Sequence, residues 1–159
     1  MITTIIFVKI ILLIYILNTS TSKPLTVHVI PHSHDDVGWL DTMDNYFYKY
    51  KCVKCILDNM VISLTSNPKR TFTYVEISFF KKWYDQINDE TKLIVKGLIK
   101  NGQLEFSNGG WVMNDEATTT YQHIIDQMRI GLDFLKKEFN VVPKVAWSID
   151  PFGHSTTNV

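Results

Sequence analysis

Apolar and polar positions change their spacing several times along this chain, and each change marks an element. Leu25, Val27 and Val29 alternate with Thr26 and His28, the two-residue period of a half-buried strand, before Ile30 leads into Pro31. From Asp44 to about Ser66 the spacing turns helical. Ile56, Met60 and Leu64 recur on one face, and Asn67-Pro68 ends the run. Phe72 to Phe80 is rich in β-branched and aromatic residues and predicts a second strand. A helix is expected over Thr91 to Lys100, capped by Asn88 or Asp89 and stopped by Asn101-Gly102. Gln103 to Ser107 predicts a short third strand that runs out into Asn108-Gly109-Gly110-Trp111. The clearest helix is Thr120 to Phe139, where Ile124, Ile125, Met128, Leu132, Leu135 and Phe139 form one apolar stripe. After Pro143, Val145 to Ile149 predicts a fourth strand.

Strands that alternate with helices predict an α/β chain with a parallel sheet and right-handed crossovers. Functional loops then gather on the carboxyl edge of the sheet. Here those loops are expected to begin near His32, Phe80, Asn108 and Asp150.

Length and charge narrow the classes. A chain of 159 residues suffices for one small domain. Sixteen basic residues balance sixteen acidic ones, with no basic stripe, so nucleic acid is not an expected partner. Residues Met1 to Ser22 carry a single charge, Lys9. Their apolar run Ile10 to Leu17 is followed by Asn18-Thr19-Ser20-Thr21-Ser22, the pattern of a cleavable secretory signal. The run is short for a membrane span, so no stable membrane association is expected after cleavage. Residues 23–159 are left for the fold. Cys52 and Cys55 form a Cys-x-x-Cys with no second pair to complete a zinc site, which favours a structural role over a redox or metal one.

The chemistry collects at two strand ends. Pro31-His32-Ser33-His34-Asp35-Asp36 closes the first strand, and Ser148-Ile149-Asp150-Pro151-Phe152-Gly153-His154-Ser155 closes the fourth. Residues two apart on an extended backbone point the same way, so His34 and Asp36 share a side. An imidazole and a carboxylate on one side begin a zinc site, and Asp150 supplies a third donor from the other strand end. Histidines near strand ends also cap backbone groups, and His32-Ser33-His34 is a His-x-His of the kind some barrel hydrolases use. The local pattern leaves these readings open.

The wider wording separates them. Pro31-His32-Ser33-His34-Asp35-Asp36-Val37-Gly38-Trp39-Leu40, Tyr74-Val75-Glu76-Ile77-Ser78-Phe79-Phe80, Asn108-Gly109-Gly110-Trp111-Val112-Met113-Asn114-Asp115-Glu116-Ala117 and Ile149-Asp150-Pro151-Phe152-Gly153-His154-Ser155 occur in order. Together they resemble glycoside hydrolase family 38, and Asp35 and Val37 are similar to its lysosomal-type α-mannosidase branch. The resemblance implies the amino-terminal part of a (β/α) barrel of the glycoside hydrolase/deacetylase type. It implies a zinc-dependent retaining α-mannosidase acting on mannose-containing oligosaccharides in the secretory pathway, either lysosomal or secreted. One zinc ion would be held by His34, Asp36 and Asp150. Asp150 would also be the nucleophile, and Trp39 and Phe152 would line the sugar subsite. A carboxylate that shares its charge with zinc stays ionised at acidic pH.

The resemblance also implies that a fourth zinc ligand and the acid/base aspartate lie beyond Val159, so the 159 residues alone are expected to be inactive. Asp115 and Glu116 are accordingly read as helix-capping or loop-ordering groups, and His32, Asp35 and His154 as supports. The segment after Tyr48 is shorter than the family's lysosomal members carry. Two alternatives accompany this reading. One is a truncated, inactive secreted relative that binds zinc or mannosides weakly. The other is a metal-dependent polysaccharide deacetylase on a related barrel.

Overall fold

The structure, a computed structural model, describes residues 24–151 and 153–156. The proposed signal segment lies outside them. The elements are α1 (Met43–Tyr48), α2 (Val53–Ser66), β1 (Phe72–Tyr74), α3 (Ile77–Tyr84), α4 (Asp89–Lys100), β2 (Leu104–Phe106) and α5 (Tyr121–Phe139). β1 and β2 pair in parallel, with Phe72 opposite Leu104 and Tyr74 opposite Phe106. The α/β expectation holds.

Two extended lines flank this pair in place of the outer predicted strands. On one side Thr73 N donates to Pro31 O (2.9 Å) and Ser33 N to Thr73 O (3.1 Å), a single parallel bridge at His32. On the other side Asn108 N donates to Val145 O (3.0 Å). The Asn108 side chain continues this pairing in place of backbone: Oδ1 accepts from Trp147 N and Nδ2 donates to Trp147 O, both at 2.7 Å. The first strand was expected over Leu25 to Ile30. Those residues make no ladder among the described residues, and Leu25 and Val29 are 86% and 84% exposed. Val145 to Ile149 is likewise extended without forming a strand. The rings of His32 and Trp147, from the two outer lines, meet edge-on at 4.7 Å, so the four lines curve toward one another.

Two further expectations change. The single helix from Asp44 to Ser66 is two helices, broken over residues 49–52. Cys52 takes a left-handed backbone conformation and is disulfide-bonded to Cys55, which gives this pair the structural reading. The strand expected over Phe72 to Phe80 stops at Tyr74, and Ile77–Tyr84 is helical. Ile77, Phe80 and Tyr84 recur at helical spacing, and all three are buried. Burial of that stripe outweighs the β preference of the aromatic residues, which is itself mostly a packing preference. Phe80 is the hub of the core: its ring lies 4.9 Å from that of Phe106, 5.6 Å from Trp83 and 6.0 Å from Phe139.

The remaining helices follow their capping signals. Asn88 caps α4, its side chain accepting from Thr91 N at 2.8 Å. Thr120 caps α5. Gln103 closes the end of α2, its buried Nε2 donating to the carbonyls of Leu64, Asn67 and Arg70. α5 lies so close to the Gly109-Gly110-Trp111 loop that Trp111 N donates to the helical carbonyl of Gln127 (3.0 Å). Gly131 makes that approach possible. A Cβ built there would stand 2.1 Å from Gly109 O. No helix among the described residues is long and apolar enough to cross a membrane.

Candidate active site

The site is built at the ends of the four extended lines. The first line leaves the sheet at Ser33, which is 4% exposed. Beyond it His34 and Asp36 turn to the same side, as the two-residue spacing predicts, and His34 Nε2 stands 3.8 Å from Asp36 Oδ1. Asp35, between them, turns elsewhere and accepts from Tyr74 Oη at 3.3 Å. Burial is the main reason that its carboxyl is raised above the ordinary range.

Because β1 ends at Tyr74, the next loop is Val75-Glu76 rather than a turn after Phe80. Glu76 therefore enters the site. It is 1% exposed, and burial pushes its carboxyl up to about 7. Oε2 accepts from Ser33 Oγ (2.7 Å) and Oε1 from Asp35 N (3.1 Å). The sequence reading assigned no role to Glu76. Its signal was a lone carboxylate inside the apolar run Tyr74-Val75-Glu76-Ile77.

Asp150 comes from the opposite wall, on a loop with positive φ at Asp150 (55°) and Gly153 (144°). Glu116 ties that loop on both sides of Asp150. Its Oε2 accepts from Ser155 N at 2.6 Å, and its Oε1 lies 3.1 Å from His154 Nδ1 and 3.4 Å from Ser148 Oγ. These bonds, the Ser155 N–H first among them, hold the Glu116 carboxyl below its ordinary range. Loop ordering is thus what Glu116 does. Asp115 accepts from Ala117 N (2.7 Å) and from the Thr118 hydroxyl, and so orders its own turn, while the helix cap is Thr120.

One cavity of about 610 Å³ joins these parts, with His34, Asp36, Trp39, Glu76, Glu116 and Asp150 on its walls. Trp39 presents a ring that is 71% exposed. Phe152, expected beside it, lies outside the described residues. Two donor atoms bound to one tetrahedral zinc at ordinary bond lengths stand about 3.4 Å apart. The 3.8 Å between His34 and Asp36 is about 0.4 Å wider than that spacing, and nitrogen and carboxylate oxygen fit the metal in kind. Asp150 shares their cavity without closing on them. Among the described residues no group of three or more His, Cys, Asp or Glu is gathered tightly enough to hold a metal ion.

The sequence has close counterparts. Residues 24–158 match the glycosyl hydrolases family 38 N-terminal domain. The chain belongs to glycosyl hydrolase family 38. It is 55% identical to the lysosomal alpha-mannosidase of Bos taurus over 139 residues, 82% of this chain and 14% of that protein. To the lysosomal alpha-mannosidase of Dictyostelium discoideum it is 51% identical over 143 residues, 86% of this chain and 14% of the relative. With the alpha-mannosidase of Canavalia ensiformis it shares 49% over 139 residues, 84% and 14% of the two chains. This family 38 chain therefore spans about one-seventh (14%) of the length of these curated relatives.

All four segments that carried the resemblance lie inside the matched range, and all four meet around the cavity. The sequence reading had placed His34, Asp36, Trp39 and Asp150 there. Glu76 is what the fold adds to that family 38 set. Its arrival depends on where β1 stops, which β propensity alone did not reveal.

Proposed function

We propose that this family 38 chain contributes the nucleophile wall and part of the metal wall of a zinc-dependent retaining α-mannosidase. The observation that carries the reading is that His34 and Asp36, and Asp150 far from them in sequence, line one cavity at the ends of the two outer extended lines. The names of its relatives, at about half identity, supply the sugar. In this reading residues 1–22 are a secretory signal and residues 23–159 belong to the amino-terminal portion of a (β/α) barrel. The site of action is the lysosome or the secretory pathway that leads to it, and the substrate is a mannose-containing oligosaccharide. The curve of the four lines, with His32 against Trp147, supports the barrel.

In a retaining mechanism Asp150 attacks the anomeric carbon, a C–O bond forms to its carboxylate, and the bond to the leaving oxygen breaks. A separate acid, to which no residue of this chain is assigned, protonates that oxygen and then activates the water that cleaves the glycosyl ester. Zinc, when bound by His34, Asp36 and Asp150, supplies positive charge that keeps the nucleophile ionised. Glu116 holds the Asp150 loop from both sides, and Trp39 offers a flat apolar face to the C–H surface of a sugar.

The test is Asp150→Asn in the full-length protein. Turnover is expected to fall by about three orders of magnitude or more with the fold retained. A mechanism-based fluoro-sugar should label the wild-type protein on the peptide that contains Asp150. Label on Asp115 or Glu116 instead would overturn the assignment.

A further inference from the structure

His34 and Asp36 have little that holds them from the outside. Their side chains are 42% and 52% exposed. Among the described residues neither makes a side-chain hydrogen bond to any other residue. Their mutual geometry must therefore come from the backbone beneath them, and beyond the sheet bond of Ser33 N to Thr73 O that backbone is held by one side chain. Glu76 Oε2 accepts from Ser33 Oγ at 2.7 Å, and Glu76 Oε1 accepts from Asp35 N at 3.1 Å. Ser33 Oγ in turn accepts from Val75 N at 3.0 Å, which ties the ring back to the residue before Glu76. The two points of attachment bracket His34, and the second is the peptide between His34 and Asp36.

We propose that Glu76 is a positioning residue that splints the Ser33–Asp36 backbone and so sets the spacing of the His34–Asp36 donor pair. The proposal rests on the zinc reading above and names what makes the pair competent. A carboxylate buried to 1% exposure costs more than an apolar residue of similar size, unless it is fully hydrogen-bonded. Each oxygen of Glu76 accepts from the ligand-bearing segment, so the restraint falls on that segment. Leu or Met would fill the space but hold neither donor. Partners that orient metal-binding side chains typically contribute 10- to 100-fold in affinity.

The experiment compares wild type, Glu76→Met, Glu76→Gln and His34→Ala in the full-length protein. It measures the unfolding midpoint, zinc affinity by chelator competition, and hydrogen exchange at the Asp35 amide in the zinc-free state. Met fills the space and holds neither donor, whereas Gln keeps an acceptor for Asp35 N and an amide donor that the Ser33 hydroxyl can accept. The expected result is a folded Glu76→Met whose zinc dissociation constant rises by ~10-fold or more, with faster Asp35 exchange, while Glu76→Gln stays near wild type. His34→Ala removes a ligand and should weaken zinc further. Should Glu76→Met not fold, Ser33→Ala cuts the Ser33 tether from the other end and is read the same way. Wild-type zinc affinity and exchange in a folded Glu76→Met or Ser33→Ala overturn the positioning role alone. A wild-type protein that retains no zinc overturns the metal reading, and the positioning role with it.

Discussion

Gly131→Ala is the sharpest packing test of this structure, because the same change elsewhere should act in the opposite direction. A Cβ at residue 131 would meet Gly109 O at 2.1 Å, Gly110 C at 2.7 Å and Trp111 N at 2.8 Å. All three are backbone atoms, so no side chain can rotate away. Ordinary carbon contacts need 3.5–4.0 Å, so α5 must back off from the loop by about 1 Å. Overpacking of this kind typically costs 1–3 kcal/mol. The retreat also strains two hydrogen bonds, Trp111 N to Gln127 O (3.0 Å) and Val112 N to Gln127 Oε1 (3.1 Å), each contributing about 1 kcal/mol. Replacing a helical glycine with alanine returns about 1 kcal/mol through backbone entropy. The net expectation is a loss of ~2–3 kcal/mol, a fall of several degrees in the unfolding midpoint. Gly97, on the exposed face of α4, has nothing within 4 Å of an added Cβ. There alanine should stabilise by about 0.5–1 kcal/mol. Thermal unfolding of both variants beside wild type decides the matter. Two glycines that respond alike, or a Gly131→Ala protein as stable as wild type, would refute the claim that α5 lies against backbone.

The other expectations concern the site. Glu76, raised by burial from 4.5 to about 7, binds its proton more tightly in the folded than in the unfolded chain. The stability tied to that proton is therefore fully present below about pH 4.5 and lost as pH rises through about 7, on the order of 3 kcal/mol. Asp35 and Tyr74 face it, and the Asp35 charge pushes Glu76 the same way. Unfolding midpoints measured between pH 4 and 8 should carry this slope, and Glu76→Gln should flatten it; an unchanged slope in the variant refutes the assignment. Asn108→Ala removes both side-chain bonds to Trp147 and places alanine at a φ of 59°, so it should cost about 1–3 kcal/mol. Limited proteolysis should then cut first around residues 148–155; an unchanged cleavage pattern counts against the pairing role of Asn108. Glu116→Ala should lower turnover in the full-length protein by freeing the Asp150 loop, with zinc affinity changed less than in Glu76→Met. The reverse order would place the metal restraint on the wrong wall.

The sequence alone determined what depends on spacing and on residue chemistry. α4 was legible from its Asn88 cap and its Asn101-Gly102 stop and α5 from its apolar stripe, because helical periodicity and capping are properties of neighbouring residues. The two-residue spacing of His34 and Asp36 placed both on one side before any fold was known, and the structure shows them 3.8 Å apart. The word-like segments around Asp36, Glu76, Asp115 and Asp150 carried the family. Only the tertiary structure decided where elements stop. Phe72 to Phe80 reads locally as one β-prone run, and the strand-to-helix change after Tyr74 is set by burying Ile77, Phe80 and Tyr84 in the aromatic core. That change carries Glu76 from an expected strand into the site, under Ser33 and Asp35. The outer lines lack ladders for the same kind of reason: strand pairing is a contact between distant segments, and alternation of residues predicts only which face a strand would bury. Glu116 and Asn108 took their roles likewise from loops 30 or more residues away, which no local pattern encodes.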